Sequence, residues 1–397
     1  MLEYRGFYKE EVFHSILSLM AERGFPDLYL VPYNYPILRD SKDHNLYEIN
    51  FYFKEEYPIL TQEDITNIVS IITKKEHIGR RELDTSYSLE DKAYFRVHIT
   101  STFGNLGIVM RNIPAKIPSL SDLSFSPEVY ERLKMVCDHK DGLVLVTGPT
   151  GSGKSTTLSA MIKEMRDTRS LSIVTIEDPV EFVHKPKEGE NGLSDIVIQQ
   201  QVGIDVPSFY DGIVASLRKH PNVILLGEIR GKDEMDEAII AANTGHLVLA
   251  TLHTRNAIQT IERIITLRQN ISKADAYKEI ASVMRAFISQ QLTPKIGGGF
   301  IPVCEILANT PYVADIIEKG ANFMEMKEAL DGKTRSPEII SLNEDLFNRW
   351  QRKEIERKTA LGISYNKVDL DLKMRKFGLQ DKEKKEEEEE AFGEKGF

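Results

Sequence analysis

Cysteine is nearly missing. Cys137 and Cys304 are the only two among 397 residues, far apart and in no CxxC pair. That excludes a disulfide framework and a cysteine-type zinc site, and it suits a reducing cytosol. Long apolar runs are missing too: none approaches the ~20 residues that a helix needs to cross a bilayer. The opening "MLEYRGFYKEEVF" has acids where a signal peptide has a basic start and an apolar stretch, so no secretory leader is expected. Positive charge is in deficit. The formal net charge is −10, and no basic, aromatic-rich stretch occurs, so nucleic acid is not an expected partner. Part of the acid is local, since "DKEKKEEEEE" near the end carries seven acids and three lysines. What remains is 41% hydrophobic and 28% charged, an ordinary soluble globular composition long enough for two or three domains.

Residues 7–23 carry apolar side chains at helical spacing until Gly24 breaks the pattern. "PDLYLVP" alternates as a short strand, and strands mix with a helix near 62–73 up to about residue 110. "RNIPAKIPSLSDL", residues 111–123, is rich in proline and small polar residues and reads as a linker. Four apolar runs follow, "GLVLVTG", "LSIVTIEDP", "NVILLGE" and "HLVLATLHT", with helical stretches between them. This rhythm predicts a parallel, doubly wound α/β sheet, whose ligands sit at the C-terminal edge of the strands. Each run ends there in glycine, acid or histidine. From about 258 to 370 the pattern is helical, "AYKEIASVMRAFISQQL" being the clearest amphipathic piece, and from Gly378 the chain is low-complexity and charged. No internal repeat is present.

"GPTGSGKST" follows the strand "LVLVT" and opens the helix "STTLSAMIKEM". It is the P-loop pattern in its required context, and its residues are Gly148, Pro149, Thr150, Gly151, Ser152, Gly153, Lys154, Ser155 and Thr156. Glycines let successive backbone N–H groups wrap a phosphate, and the helix N-terminus adds its positive end. Lys154 can reach the β- and γ-phosphates, and the Ser155 hydroxyl can bind Mg²⁺. Binding of a nucleoside triphosphate is predicted, with ATP and Mg²⁺ as cofactors.

"NVILLGEIRG" is a buried strand ending at Glu228. An acid at the end of such a strand, opposite a P-loop, is the Walker B arrangement and holds Mg²⁺ or its water; here Gly227–Glu228 stands where an aspartate is usual. "VTIEDPVEF" ends at Glu177 and Asp178 before Pro179. On spacing alone, Glu177 either orients an attacking water or caps the next turn, and Asp178 makes an ordinary loop hydrogen bond. "TGHLVLATLHT" sets His246 and His253 seven positions apart. Along a strand that is about 20 Å, too far to share a metal whose nitrogens lie about 2 Å away. Each histidine therefore has its own task.

"GPTGSGKSTTL", "TIEDPVEFVH", "LLGEIRG" and "TGHLVLATLHT", in this order, resemble the four signature boxes of the GspE/PilT-type secretion ATPases. The resemblance runs to about residue 375. "GFPDLYLVPYNYPILR" looks like the small PAS-like domain of the PilT branch, and "KIGGGFIPVCEILANTPYVADIIEKG" like its C-terminal region, with "VADIIEKG" nearest the PilU variant. The resemblance implies an α/β fold. A PAS-like α+β domain would span 1–110, the linker 111–123, a RecA-like ATPase domain with a helical C-terminal part 124–375, and a charged disordered tail 376–397. It implies a homohexameric motor on the cytoplasmic side of the bacterial inner membrane that drives retraction of a type IV pilus. Its partners would be an inner-membrane platform protein and a second PilT-like motor. By motif position Glu177 is then the general base and Glu228 the Walker B acid, while His253 and His246 are the histidine-box residues near the γ-phosphate. Arg96 and Arg111, fifteen apart in "FRVHITSTFGNLGIVMRNIP", match the pair that reaches nucleotide phosphate from the small domain. Arg218 and Arg230 are read as structural or interface residues. A tetracysteine metal site, present in the assembly ATPases of such pili, is absent.

Several positions depart from the pattern. Tyr94 and Gly104 stand where arginines are frequent, Gln200 replaces an arginine in "IQQQVG", and "KPKEGENGLSD", 185–195, looks inserted. These departures bear on ring coupling and docking and leave the hydrolytic residues intact. The alternatives are a motor for effector or conjugative secretion, a P-loop kinase or nucleotide-dependent regulator, and a nucleic-acid motor. The Asp and His boxes argue against the second and the charge against the third.

Overall fold

A computed structural model describes residues 10–41, 43–52, 57–74, 82–89, 93–102, 104–113, 116–186, 193–331 and 336–378. The tail from residue 379, and 187–192 of the apparent insertion, lie outside the described residues. Two compact units divide the chain. One is Met1–Ile117 with Thr175–Glu188 and Val197–Gly212; the other is Pro118–Val174, Gly189–Ile196 and Ile213–Phe397.

In the first unit six strands form one antiparallel sheet: β1 (Asp27–Leu30), β2 (Ile37–Arg39), β3 (Leu46–Glu48), β4 (Leu83–Leu89), β5 (Ala93–Thr102) and β6 (Asn105–Ile113), in the order β3-β2-β1-β6-β5-β4. Strand β5 alternates strictly. Ala93, Phe95, Val97 and Ile99 point into a core, and Tyr94, Arg96, His98 and Thr100 point away from it. The helices Glu10–Arg23 and Gln62–Thr73 close that core with Phe13, Ile16, Leu17 and Met20 and with Ile65, Ile68, Val69 and Ile72. Thr61 caps the second helix by a reciprocal bond pair with Asp64. The expected linker 111–123 needs correction. Arg111, Asn112 and Ile113 complete β6, and Leu120–Leu123 is a 3₁₀ turn. Pairing with β5 and β1 keeps those first residues in the sheet despite the prolines beyond them.

The second sheet is built from β7 (Gly142–Thr147), β8 (Ser172–Glu177), β9 (Ile196–Gln201), β10 (Val223–Leu226), β11 (Leu247–Leu252), β12 (Met284–Pro294) and β13 (Phe300–Ala308), ordered β13-β12-β7-β11-β10-β8-β9. Strands β12, β7, β11 and β10 run parallel, and β13 returns antiparallel to β12. Every residue of β7, β10 and β11 is buried, as expected for parallel strands covered on both faces. The expectation of an all-helical stretch over 258–370 is overturned at 284–308. The helix Lys273–Val283 ends where the β12–β13 hairpin begins, its turn made by Gly297, Gly298 and Gly299. Side chains Met284 to Gln290 are nearly all buried, so they show neither the alternation of a half-buried strand nor a polar helical face, and periodicity cannot separate the two. Beyond the hairpin the pattern is helical, as expected: Pro311–Glu318, Phe323–Leu330, Leu342–Gln351 and Arg357–Ile363. Among the described residues no helix is long and apolar enough to cross a membrane.

Glu305, on β13, is buried and accepts the Ala257 N–H at 2.9 Å where the helix Ala257–Leu267 begins. Burial pushes its carboxyl up to about 7 from 4.5. The folded chain therefore keeps a proton that the unfolded chain gives up, a contribution complete below about pH 4.5 and lost as pH rises through about 7. It is worth up to about 3 kcal/mol. Urea unfolding from pH 5 to pH 8 is expected to show stability falling with pH, and Glu305→Gln to flatten that fall. Identical slopes in both proteins would place the ionisation elsewhere.

Candidate functional site

Register brings the ends of four strands together. Thr147 lies beside Leu252 across β7 and β11 and beside Ser289 across β7 and β12, and Leu226 beside Ala250 across β10 and β11. Gly148 and His253 follow β7 and β11 directly, Glu228 comes two residues after Leu226, and Gln290 follows Ser289 within β12, so all four lie toward the C-terminal edge of the parallel strands. Cross-links hold the edge: Ile229 N–H donates to Thr251 O at 3.1 Å, Thr251 Oγ1 to Gly227 O at 2.6 Å, and Gly148 N–H to Leu252 O at 3.3 Å.

The loop Gly148–Gly153 leads into the helix Lys154–Thr168, whose N-cap, Gly153, offers no side-chain cap to the first N–H groups. Those donors face a ligand side with a positive dipole end. Two glycines are required by geometry. A Cβ on Gly148 would stand 2.2 Å from Gln290 O, and Gly153 sits at φ +85° with Gln290 Nε2 3.0 Å from the same kind of added atom. Lys154 is buried and donates to the carbonyls of Gly148 at 2.9 Å and Pro149 at 3.1 Å. The Ser152 hydroxyl is buried inside the loop and has no hydrogen-bond partner among the described residues. A buried orphan hydroxyl in a glycine cradle before an uncapped helix fits a phosphate oxygen.

Glu228 is half-buried between a guanidinium and an imidazole: Arg230 Nε lies 3.1 Å from one oxygen and His253 Nε2 3.1 Å from the other. Arg230 thus touches the site, beyond the structural role expected of it. His253 stands just past the C-terminal end of β11, at the edge where its sequence places it. His246 does not, and its expected contact with nucleotide is corrected. It begins β11 at the opposite edge, where its carbonyl accepts the Gly142 N–H and its Nδ1 lies 3.1 Å from Ala241 O. One strand cannot present both its ends to one edge.

In the first unit Glu177 is buried, and burial pushes its carboxyl up. Thr175 Oγ1 donates to it at 2.7 Å and Gln199 Nε2 at 3.2 Å. The Glu181 N–H reaches its other oxygen at 3.4 Å, so the turn contact weighed against a chemical role is present as well. Gln199 also donates to Phe182 O and accepts from His184 N–H, which ties down the segment after Glu177. Arg96 and Arg111 are direct cross-strand neighbours on β5 and β6. Arg111 Nε donates to buried Asp27 at 2.8 Å, and Arg39 Nε reaches the same carboxylate at 3.0 Å. Arg39, Gln199 and Gln290 were missed by sequence reasoning. The polar pair Ser289–Gln290 inside the apolar "RAFISQQL" was the available signal for the last.

Residues 79–359 match the family described as Type II/IV secretion system protein. The type IV pilus retraction ATPase PilT of Pseudomonas aeruginosa is 36% identical over 305 residues, which are 77% of this chain and 85% of that one. The type IV pilus ATPase PilU of the same organism is 32% identical over 361 residues, 91% of this chain and 90% of that one. The crystal structure of the pilus retraction motor PilT with bound ADP superposes with a TM-score of 0.74 at 30% identity, over 89% of this chain and 96% of that one. The ATPase DotB of Legionella pneumophila, at 24% identity and a TM-score of 0.70 over 88% of this chain and 94% of that one, shares the fold. With the P-loop, the acid-ended strand and the histidine in register at one sheet edge, the chain belongs to the Type II/IV secretion system protein family, in its PilT/PilU branch.

Proposed function

We propose that the chain is an ATP-hydrolysing motor for type IV pilus retraction. The observation that carries this reading is the phosphate cradle with Glu228 and His253 beside it, in a chain alike to PilT and PilU over most of their length. ATP phosphates lie in the Gly148–Thr156 loop, where Lys154 and the helix N-terminus meet their charge. The donor set fits Mg²⁺, which takes one or two protein oxygens plus phosphate oxygens: the Ser155 hydroxyl and the Glu228 carboxylate. Bound there, it would neutralise charge developing on the β- and γ-oxygens. Glu177 is the general base that takes a proton from the attacking water, and its raised proton affinity strengthens it as a base near neutral pH. His253 orients Glu228 and the γ-phosphate side. Arg96 and Arg111 stabilise transition-state charge at a nucleotide from the small domain.

The working form is a homohexamer on the cytoplasmic face of a bacterial inner membrane, held peripherally by a platform protein of the pilus machine and acting beside a second PilT-like motor. The small domain of that motor is 1–110 and its ATPase domain 124–375.

Lys154→Ala and Glu228→Gln are expected to abolish phosphate release with circular dichroism unchanged. Glu177→Gln keeps nucleotide affinity and loses on the order of 10²–10⁴ in turnover. An active Glu228→Gln protein would end the Walker B assignment. Arg96→Ala leaves nucleotide binding intact and lowers turnover of the assembled ring by about a thousandfold; turnover independent of protein concentration and of Arg96 would remove the ring from the mechanism. Deleting the gene is expected to leave cells with excess pili and no twitching. Bald cells would make the chain an assembly motor, and normal pili with normal movement would assign it to another envelope machine.

A further inference from the structure

Behind the phosphate cradle, on the side away from any ligand, stands one buried amide. Gln290 is 2% exposed and lies on β12, one residue beyond the position paired with the last residue of β7. Its Nε2 donates to Ser152 O at 2.7 Å, and its Oε1 accepts from Thr157 Oγ1 at 2.8 Å. Ser152 is inside the loop, and Thr157 is one turn into the helix that the loop opens. A single side chain therefore joins the loop to its own helix. Its main-chain carbonyl closes the other end of the loop, because nothing larger than glycine fits against it at Gly148.

The bond to Ser152 O has a directional consequence. In a planar trans peptide the C=O and the following N–H point in opposite directions. With Ser152 O held toward Gln290, the Gly153 N–H is turned the other way, into the cradle, where a P-loop presents its donors to phosphate. Gly153 is free to rotate, being a glycine at positive φ, so the loop itself does not fix that peptide plane. A donor held in place before the ligand arrives is worth more than one that must be ordered on binding.

We propose that Gln290 is the positioning residue of the phosphate cradle, locking the Ser152–Gly153 peptide so that the Gly153 amide faces the nucleotide phosphates. This rests on the nucleotide reading of the P-loop and adds a residue from a strand outside every signature box. Gln290→Met removes both bonds at nearly constant volume. In the full-length protein it is expected to raise the ATP KM and the ADP dissociation constant together by about tenfold or more, with kcat changed much less. Thr157→Val, which keeps the Ser152 bond, is expected to raise them several-fold less. Gln290→Glu guards against a variant that does not fold: it loses the donor when ionised and regains an O–H donor when protonated, so across a pH series its ADP affinity is low at high pH and recovers as pH falls while the wild type changes little. A filler of the core would show no such recovery. A folded Gln290→Met protein with wild-type KM and ADP affinity overturns the proposal, as does a Thr157→Val effect equal to that of Gln290→Met. Wild-type protein that binds no ADP would instead overturn the nucleotide reading.

Discussion

Parallel pairing among β12, β7, β11 and β10 is the constraint on which the site depends. Parallel strands leave all their C-terminal ends on one edge, so residues distant in sequence meet without any long side chain having to reach. Gly148, Glu228, His253 and Gln290 span more than a third of the chain and come together because Thr147 is in register with Leu252 and Ser289, and Leu226 with Ala250 of the same strand as Leu252. A slip of two residues in β11 would keep its buried face and carry His253 about 7 Å along the strand, away from the Glu228 carboxylate. The pairs Ile229–Thr251 and Thr251–Gly227 oppose such a slip with hydrogen bonds outside the regular ladder. The same register that gathers the site disqualifies His246, which the chain must place a full strand length away.

Legibility followed contiguity. The P-loop could be read because its function is local: nine consecutive residues make the turn, the cradle and the start of the helix. Glu228 and His253 could be read because a buried run that ends in a polar group marks the end of a strand. Gln290 had a signal, a polar residue in an apolar run, but its partner was hidden, since which loop it faces is set by β12 lying beside β7 rather than beside another strand. The β12–β13 hairpin was illegible for a related reason. Full burial erases the periodicity that separates strand from helix, and the three glycines of the turn were the local sign that went unread. The domain boundary was blurred by Arg111 to Ile113, whose place in β6 is decided by partners across the sheet.

The open face of the first sheet shows how charge is kept in order. Arg96 and Arg111 are opposite one another, an arrangement that costs energy when like charges face. Asp27 answers it. Nearly buried between Arg111 and Arg39, it is charge-paired on both oxygens, which a buried carboxylate needs. The hydrogen bonds to Asp27 hold Arg111 and raise its proton affinity further, so the cationic face stays charged at every accessible pH. Such a pair carries more orientation than stability: removing Asp27 would leave three guanidinium groups close together with nothing to direct them.

A related economy of connection runs through β12. Three consecutive residues there contact three different parts of the second unit. Ser289 Oγ lies 2.9 Å from Thr147 Oγ1, Gln290 holds the cradle, and Gln291 Nε2 donates to Tyr365 Oη at 2.9 Å. The Tyr365 hydroxyl in turn donates to Arg255 O, two residues after His253. The loop that carries the histidine and the loop that carries the phosphate donors are therefore attached to one strand, on its two sides. Further along the hairpin, buried Asp345 accepts from Ser126 Oγ and from the Cys304 N–H, fixing the helix Leu342–Gln351 against the N-cap of the helix Pro127–Cys137. In a motor, force must enter a rigid body to move it as one. These side-chain bonds give the second unit that rigidity at the strand edge where the phosphates would change, which loops alone could not supply.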